Sequence, residues 1–175
     1  MSARLNILRC GPGVTLQDTG RSGGLALGLS RGGAADRLAL AEGAALLGQP
    51  GAPLALEMAG MGGEFEASED IRIALTGAPM RAAIDGEPVA WHASHLLPAG
   101  VRLSIGPVTR GCYGYLHVGG GFEGERFLGS GSTHLAAGIG RALRAGDSLE
   151  IGPDTGTETG LLLEPEDRFD GGSVR

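Results

Sequence analysis

The chain has no lysine; all 14 of its basic residues are arginine. That removes a Schiff-base amine and the phosphate-gripping lysine of a P-loop from the functions open to it. Basic residues form no block, and the net charge is −6, so the electrostatic footprint of a nucleic-acid binder is missing. There are two cysteines in 175 residues, far apart at Cys10 and Cys112. They read as a buried, reduced pair, since spacing alone gives no ground for a bridge. Aromatics are scarce at 4%, so the core must be built from Ala, Leu, Ile and Val. No apolar run approaches the ~20 residues needed to span a membrane, and no signal-peptide pattern is seen at the start. Cytoplasm is the expected setting.

What the chain has in excess is glycine, 34 residues. Glycine at this level favours many tight turns over long helices, and hydrophobic runs recurring to about Ile151 argue for a folded chain. Strands are expected at Ala3–Arg9, Val14–Gln17, Leu54–Ala59, Glu64–Ala67, Ile71–Thr76, Met80–Ile84, Val89–His92, Val101–Ile105, Tyr113–Val118 and Ser148–Ile151. Asp85-Gly86 is a strong hairpin signal. One helix is expected over Ala34–Leu47, with Leu38, Ala41, Ala45 and Leu46 or Leu47 on its buried face and Gly48 and Pro50 ending it. Many short strands and a single main helix make the chain mainly all-β, a barrel or a sandwich. Residues 1–152 read as the folded unit and residues 153–175 as a linker or tail.

The polar residues worth following lie among the glycines. In Gln17-Asp18-Thr19-Gly20-Arg21, tight turns can gather side chains, though an exposed Asp18–Arg21 pair would also explain the pattern. Asp18, Asp36 and Glu57 are the candidates for acid–base chemistry, with Asp36 equally readable as a helix cap. Arg21 and Arg141 suit a carboxylate or a developing anion, although Arg141 and Asp147 would also make a simple turn-fixing salt bridge. Gln17 and Thr76 are suited to reading an amide. Gly129-Ser130-Gly131-Ser132-Thr133 offers hydroxyls and amides to an anion, or makes an ordinary hydrogen-bonded loop. Neither Ser130 nor Ser132 sits in a G-x-S-x-G elbow. His92 and His95 read as surface or turn histidines, and no ligand set for a metal is evident. His117 reads as a buried, hydrogen-bonded histidine or a proton shuttle.

Taken in order, Gln17-Asp-Thr-Gly-Arg21, Gly33-Ala-Ala-Asp36, Leu56-Glu57, Leu75-Thr-Gly-Ala78, Tyr115-Leu-His-Val-Gly-Gly120, Leu128-Gly-Ser-Gly-Ser-Thr133, Gly140-Arg141 and Gly146-Asp147 resemble the biotin-dependent carboxyltransferase A/B domain family. This family includes the C subunit of 5-oxoprolinase, the second subunit of allophanate hydrolase and the carboxyltransferase part of urea carboxylase. The resemblance implies a cyclophilin-like β-barrel within a 5-oxoprolinase-type complex, opening 5-oxoproline to glutamate with ATP and a partner of the 5-oxoprolinase B type. It implies as alternatives biotin-dependent carboxyl transfer to urea, or a regulatory module that keeps only the barrel. Catalytic roles would fall to Asp18, Asp36, Glu57 and Arg21, and substrate contacts to Gln17, Thr76, Ser132, Thr133 and Arg141. Ala35 replaces the family's usual Met, and Tyr113 stands where an Arg is common. Family members are about twice as long, so a separate C-terminal half is a further expected partner; Gly171–Arg175 resembles its start.

Overall fold

The computed structural model describes residues 2–164 and 168–169. In chain order the strands and helix are β1 (Arg4–Cys10), β2 (Thr15–Gln17), α1 (Arg37–Leu46), β3 (Ala55–Ala59), β4 (Gly63–Ala67), β5 (Ile71–Gly77) and β6 (Met80–Ile84). They continue with β7 (Glu87–Val89), β8 (Ala93–Leu97), β9 (Arg102–Val108), β10 (Tyr113–Val118) and β11 (Ser148–Glu150). The strands form two antiparallel sheets, ordered β11-β1-β4-β9-β6-β7 and β2-β3-β10-β5-β8. The expected mainly-β architecture with one main helix is what the chain adopts, as two packed sheets rather than one closed ladder.

Period-two alternation sets the layers. In β1 and β4, Leu5, Ile7, Phe65 and Ala67 point inward, while Glu64 and Glu66 face outward. They meet Leu56, Met58, Ile73, Leu75, Leu116 and Val118 of the other sheet in one core. β5 is buried along its whole length because both of its faces are covered. Ile73 and Leu75 face the inter-sheet core, and Ala74 and Thr76 face α1.

The β6–β7 turn is the expected one: Asp85 and Gly86 have φ of 52° and 82°, the paired positive angles of a two-residue hairpin. The expected strand at Val89–His92 lies earlier, as β7, and Val89 is its last residue; Ala90–His92 are outside any strand. Trp91 Nε1 and His92 Nε2 both turn back to the Gly77 carbonyl, at 3.2 and 2.9 Å, as the chain crosses from one sheet to the other. The next strand, β8, starts only at Ala93. His92 is therefore buried, not a surface residue, and His95 bonds the Ala90 carbonyl. Cys10 and Cys112 are free thiols, and Cys112 is exposed rather than buried.

Asp36 caps α1, accepting from the Ala39 amide at 3.1 Å. The helix turns inward a face only partly the expected one: Leu46 and Leu47 are buried, but Ala41 and Ala45 are exposed. Ala39, Leu40, Gly43, Ala44 and Leu46 are buried, and Leu38 is half exposed. The reason is His117, whose ring lies where a Gly43 side chain would be. Burial pushes His117 down to about 3, so it is a neutral imidazole. It contacts the Thr76 hydroxyl at 2.7 Å, and that hydroxyl donates to the Ala39 carbonyl. Gly43→Ala is thus expected to destabilise the protein by about 1–3 kcal/mol through overpacking, against the sign of helix propensity. A denaturation midpoint equal to or above that of the parent chain would contradict this packing.

Residues 154–163, expected as linker or tail, run along the edge of β8. Ser94 N donates to the Leu161 carbonyl, Gly160 N to the Ser94 carbonyl and Leu163 N to the His92 carbonyl. Arg72 holds the start of this strap, with Nε and Nη2 on Asp154 at 2.8 and 2.7 Å and Nη1 on the Glu158 carbonyl. Arg168 extends the contact, pairing with Glu42 and Asp36 beside α1. The expected resemblance at Gly171–Arg175 lies outside the described residues. Among the described residues no helix is long and apolar enough to cross a membrane.

Candidate functional site

Strand register builds the site. Thr15 stands opposite Glu57, Glu57 opposite Tyr115 and Tyr115 opposite Thr76, so one row of side chains crosses β2, β3, β10 and β5. Helix α1 covers the Thr76 end of this outer face. The other end stays open as a cleft of about 350 Å³, lined by Thr15, Gln17, Glu57, Tyr113, Thr133 and His134 among others.

Glu57 is fixed by one oxygen. Its Oε2 accepts from the Tyr115 hydroxyl at 2.6 Å and the Ala35 amide at 2.8 Å, and the same hydroxyl accepts from the Asp36 amide. Burial, then the Glu57 carboxylate, raise the Tyr115 phenol above its ordinary value, so it stays a donor. Among the described residues no donor reaches Oε1, the oxygen left for the cleft. Gln17 is equally constrained: its Nε2 donates to Thr15 Oγ1 at 3.0 Å and to the Thr133 carbonyl at 3.1 Å.

Behind the cleft, Asp18 ties two distant motifs together. Its Oδ1 accepts from Gly20 N, Ser130 Oγ and Ser132 Oγ at 2.8, 2.6 and 2.5 Å, and Oδ2 accepts from Gly131 N at 2.9 Å. Burial by itself would raise this carboxyl, but the Ser130 and Ser132 hydroxyls and the Gly20 and Gly131 amides outweigh it and hold the group below its usual range. With both oxygens engaged, Asp18 ties the turn after β2 to the Ser130–Ser132 loop. The loop it grips carries Thr133 and His134 into the cleft. The facing turns approach so closely that side chains at Gly20 or Gly33, with φ of 85° and 90°, would strike the opposite backbone.

The structure therefore brings Gln17, Glu57 and Thr133 together, with Asp18, Arg21 and Ser132 directly behind them. It places the others elsewhere. Thr76 is buried under α1 and does not reach the cleft. Asp36 caps the helix, and its second oxygen meets Arg168 at 3.2 Å. Arg141 is exposed and clamped on Asp147 by bonds of 2.7 and 2.8 Å, the turn-fixing pair, so it does not line the cleft. His134, whose Nε2 lies 2.6 Å from Ser30 Oγ, lines the cleft without a motif signal in the sequence, and Tyr113, noted above only as a departure from the resemblance, lines it too. His134 follows Thr133 directly, and that adjacency was the available clue.

The family model for the carboxyltransferase domain, subdomains A and B, matches residues 27–171. The chain belongs to that family. This carboxyltransferase-family chain is 37% identical over 154 residues to the C subunit of 5-oxoprolinase from Haemophilus influenzae, covering 86% of itself and 50% of that protein. It is 32% identical over 170 residues to a putative urea carboxylase of Emericella nidulans, covering 94% of itself and 14% of that protein. The crystal structure of TTHA0988 superposes with a TM-score of 0.90 at 33% identity, over 94% of this chain and 34% of that one. The chain thus spans about half the length of its 5-oxoprolinase relative. Tyr113 lies in the cleft wall.

Proposed function

We propose that this chain supplies the cleft-bearing part of a protein of the 5-oxoprolinase C type. It acts with the rest of that protein, on this polypeptide or another, and with a partner of the 5-oxoprolinase B type in the cytoplasm. The complex opens 5-oxoproline to glutamate, with ATP supplying the phosphoryl group that activates the lactam. The observation that carries this reading is Glu57, a carboxylate pinned through Oε2 with Oε1 turned to a cleft that also holds the Gln17 amide. In this scheme the lactam oxygen takes the γ-phosphoryl group and ADP leaves. Water adds to the activated carbon with its proton passing to Glu57, and His134 protonates the ring nitrogen as the C–N bond breaks. This leaves an acyl phosphate that a second water hydrolyses to glutamate and inorganic phosphate. Gln17 orients the amide.

The test is glutamate release from 5-oxoproline and ATP by the chain reconstituted with its partner proteins. Glu57→Gln is expected to lower kcat by about 100-fold or more. A wild-type complex without activity, or a Glu57→Gln complex of undiminished rate, would refute the assignment. Carboxylation of urea with a biotinylated partner would instead establish the second reading, which the Emericella nidulans relative supports. Stable co-purification with neither activity would favour a regulatory module.

A further inference from the structure

Ser30 and His134 are 104 positions apart, yet Ser30 Oγ lies 2.6 Å from His134 Nε2. Both sides of this contact are held in place. Arg21 N donates to the Arg31 carbonyl at 2.9 Å, and Arg31 Nε to the Thr19 carbonyl at 3.0 Å. His134 and Ile139 exchange backbone bonds of 2.8 and 3.1 Å across the tight turn between them. Gly32 closes against the ring: a Cβ there would stand 3.1 Å from His134 Cδ2. The Nε2–Cδ2 edge of the imidazole is thus taken by residues 30–32. Among the described residues nothing bonds Nδ1, the ring nitrogen left for a molecule in the cleft that His134 lines.

Partner chemistry decides which nitrogen of each imidazole carries the proton. His92 and His95 place Nε2 on the Gly77 and Ala90 carbonyls, which only accept, so both are Nε2–H. The single proton of the Thr76 hydroxyl goes to the Ala39 carbonyl, so the neutral His117 must donate to Thr76 Oγ1 from Nε2. His134 differs. Ser30 Oγ has no other partner among the described residues, so its proton is available to Nε2. Their separation of 2.6 Å is shorter than the ~2.7 Å floor for an N–H donor to oxygen and fits a hydroxyl donor.

We infer that Ser30 is a positioning residue: its hydroxyl donates to His134 Nε2 and so sets the imidazole proton on Nδ1, the atom through which His134 acts. This rests on the role proposed for His134 and names its atom. As the C–N bond breaks, the Nδ1 proton passes to the ring nitrogen and the Ser30 proton passes to Nε2. Ser30 is exposed and recovers its proton from water.

The test is long-range proton–nitrogen correlation NMR of the isotope-labelled full chain at about pH 9, where an ordinary imidazole is neutral. His134→Gln assigns the signal. His134 should show the Nδ1–H pattern, and His92, His95 and His117 the Nε2–H pattern. Ser30→Ala should move the His134 tautomer ratio toward Nε2–H by roughly fivefold or more, the effect of one hydrogen bond, and Ser30→Thr should restore it. Unchanged patterns at the other histidines show that each variant is folded. In the reconstituted complex, Ser30→Ala should lower kcat by roughly tenfold with KM unchanged, and Ser30→Thr should bring it back. An Nε2–H pattern at His134, a ratio untouched by Ser30→Ala, or an undiminished kcat would each overturn the inference. A complex without activity whose chain gives the expected patterns would sink the proposed reaction alone and uphold the placing of the proton by Ser30.

Discussion

Asp18→Ala is expected to cost roughly 3–5 kcal/mol of folding stability, near the top of the range for a single substitution. The carboxylate is buried and joins the turn after β2 to the Ser130–Ser132 loop, with 112 and 114 positions of sequence separation to its two serine partners. Removing it strands the Gly20 and Gly131 amides and two hydroxyls in a space closed to water. Asp18→Asn should lose most of the same energy, because its amino group meets a donor whichever way the amide is turned. The pH dependence follows from the lowered carboxyl. Its folded value lies below the ordinary 3.8, so its stabilising contribution is complete above that value and is lost as pH falls through the folded one. Urea denaturation from about pH 2 to about pH 6 should show an acid limb in the parent that flattens in Asp18→Ala. A variant within about 0.5 kcal/mol of the parent at neutral pH would show that Asp18 is no clamp.

Arg72→Met should cost about 2–4 kcal/mol, and for a different reason. Arg72 lies under the strap with its side chain 8% exposed, and it bonds Asp154, the Glu158 carbonyl and the Leu47 carbonyl at the end of α1. Through these bonds it links sheet, helix and strap. The Met side chain fills the aliphatic volume but leaves Asp154 and the two carbonyls unpaired. Arg72 holds the Asp154 carboxyl below its usual range, so this stabilisation too is present at neutral pH and fades as pH drops through the folded value. Limited proteolysis gives a second readout: cleavage within 154–163 should appear in Arg72→Met well before the sheets are cut. Simultaneous loss of strap and sheets, or a strap as resistant as in the parent, would rule out a separable tether.

Much of the fold could be read from the sequence because strand alternation, Asp85-Gly86 and the Asp36 cap act locally. What escaped depends on partners distant along the chain. The helix buries Leu46 and Leu47 as expected but turns Leu38, Ala41 and Ala45 outward and Gly43 toward His117, and the strand expected at Val89–His92 stops at Val89, after which Trp91 and His92 bond back to Gly77. The site shows the same division. Gln17, Glu57 and Thr133 carry the motifs and do meet in the cleft, whereas Thr76 shares their register row but is hidden by α1. Arg141 found its charge partner six residues away, and no motif marks His134.

The register row has a kinetic meaning as well. Thr15, Glu57, Tyr115 and Thr76 come from strands that are neighbours in space but out of sequence order, with β10 inserted between β3 and β5. Closing those loops is entropically slow, and no hairpin of consecutive strands contains the row. A nascent chain cannot display the cleft until β10 has been threaded into place and the loop that carries Thr133 and His134 has followed it. A ligand of the proposed site would therefore stabilise the finished topology and no earlier intermediate.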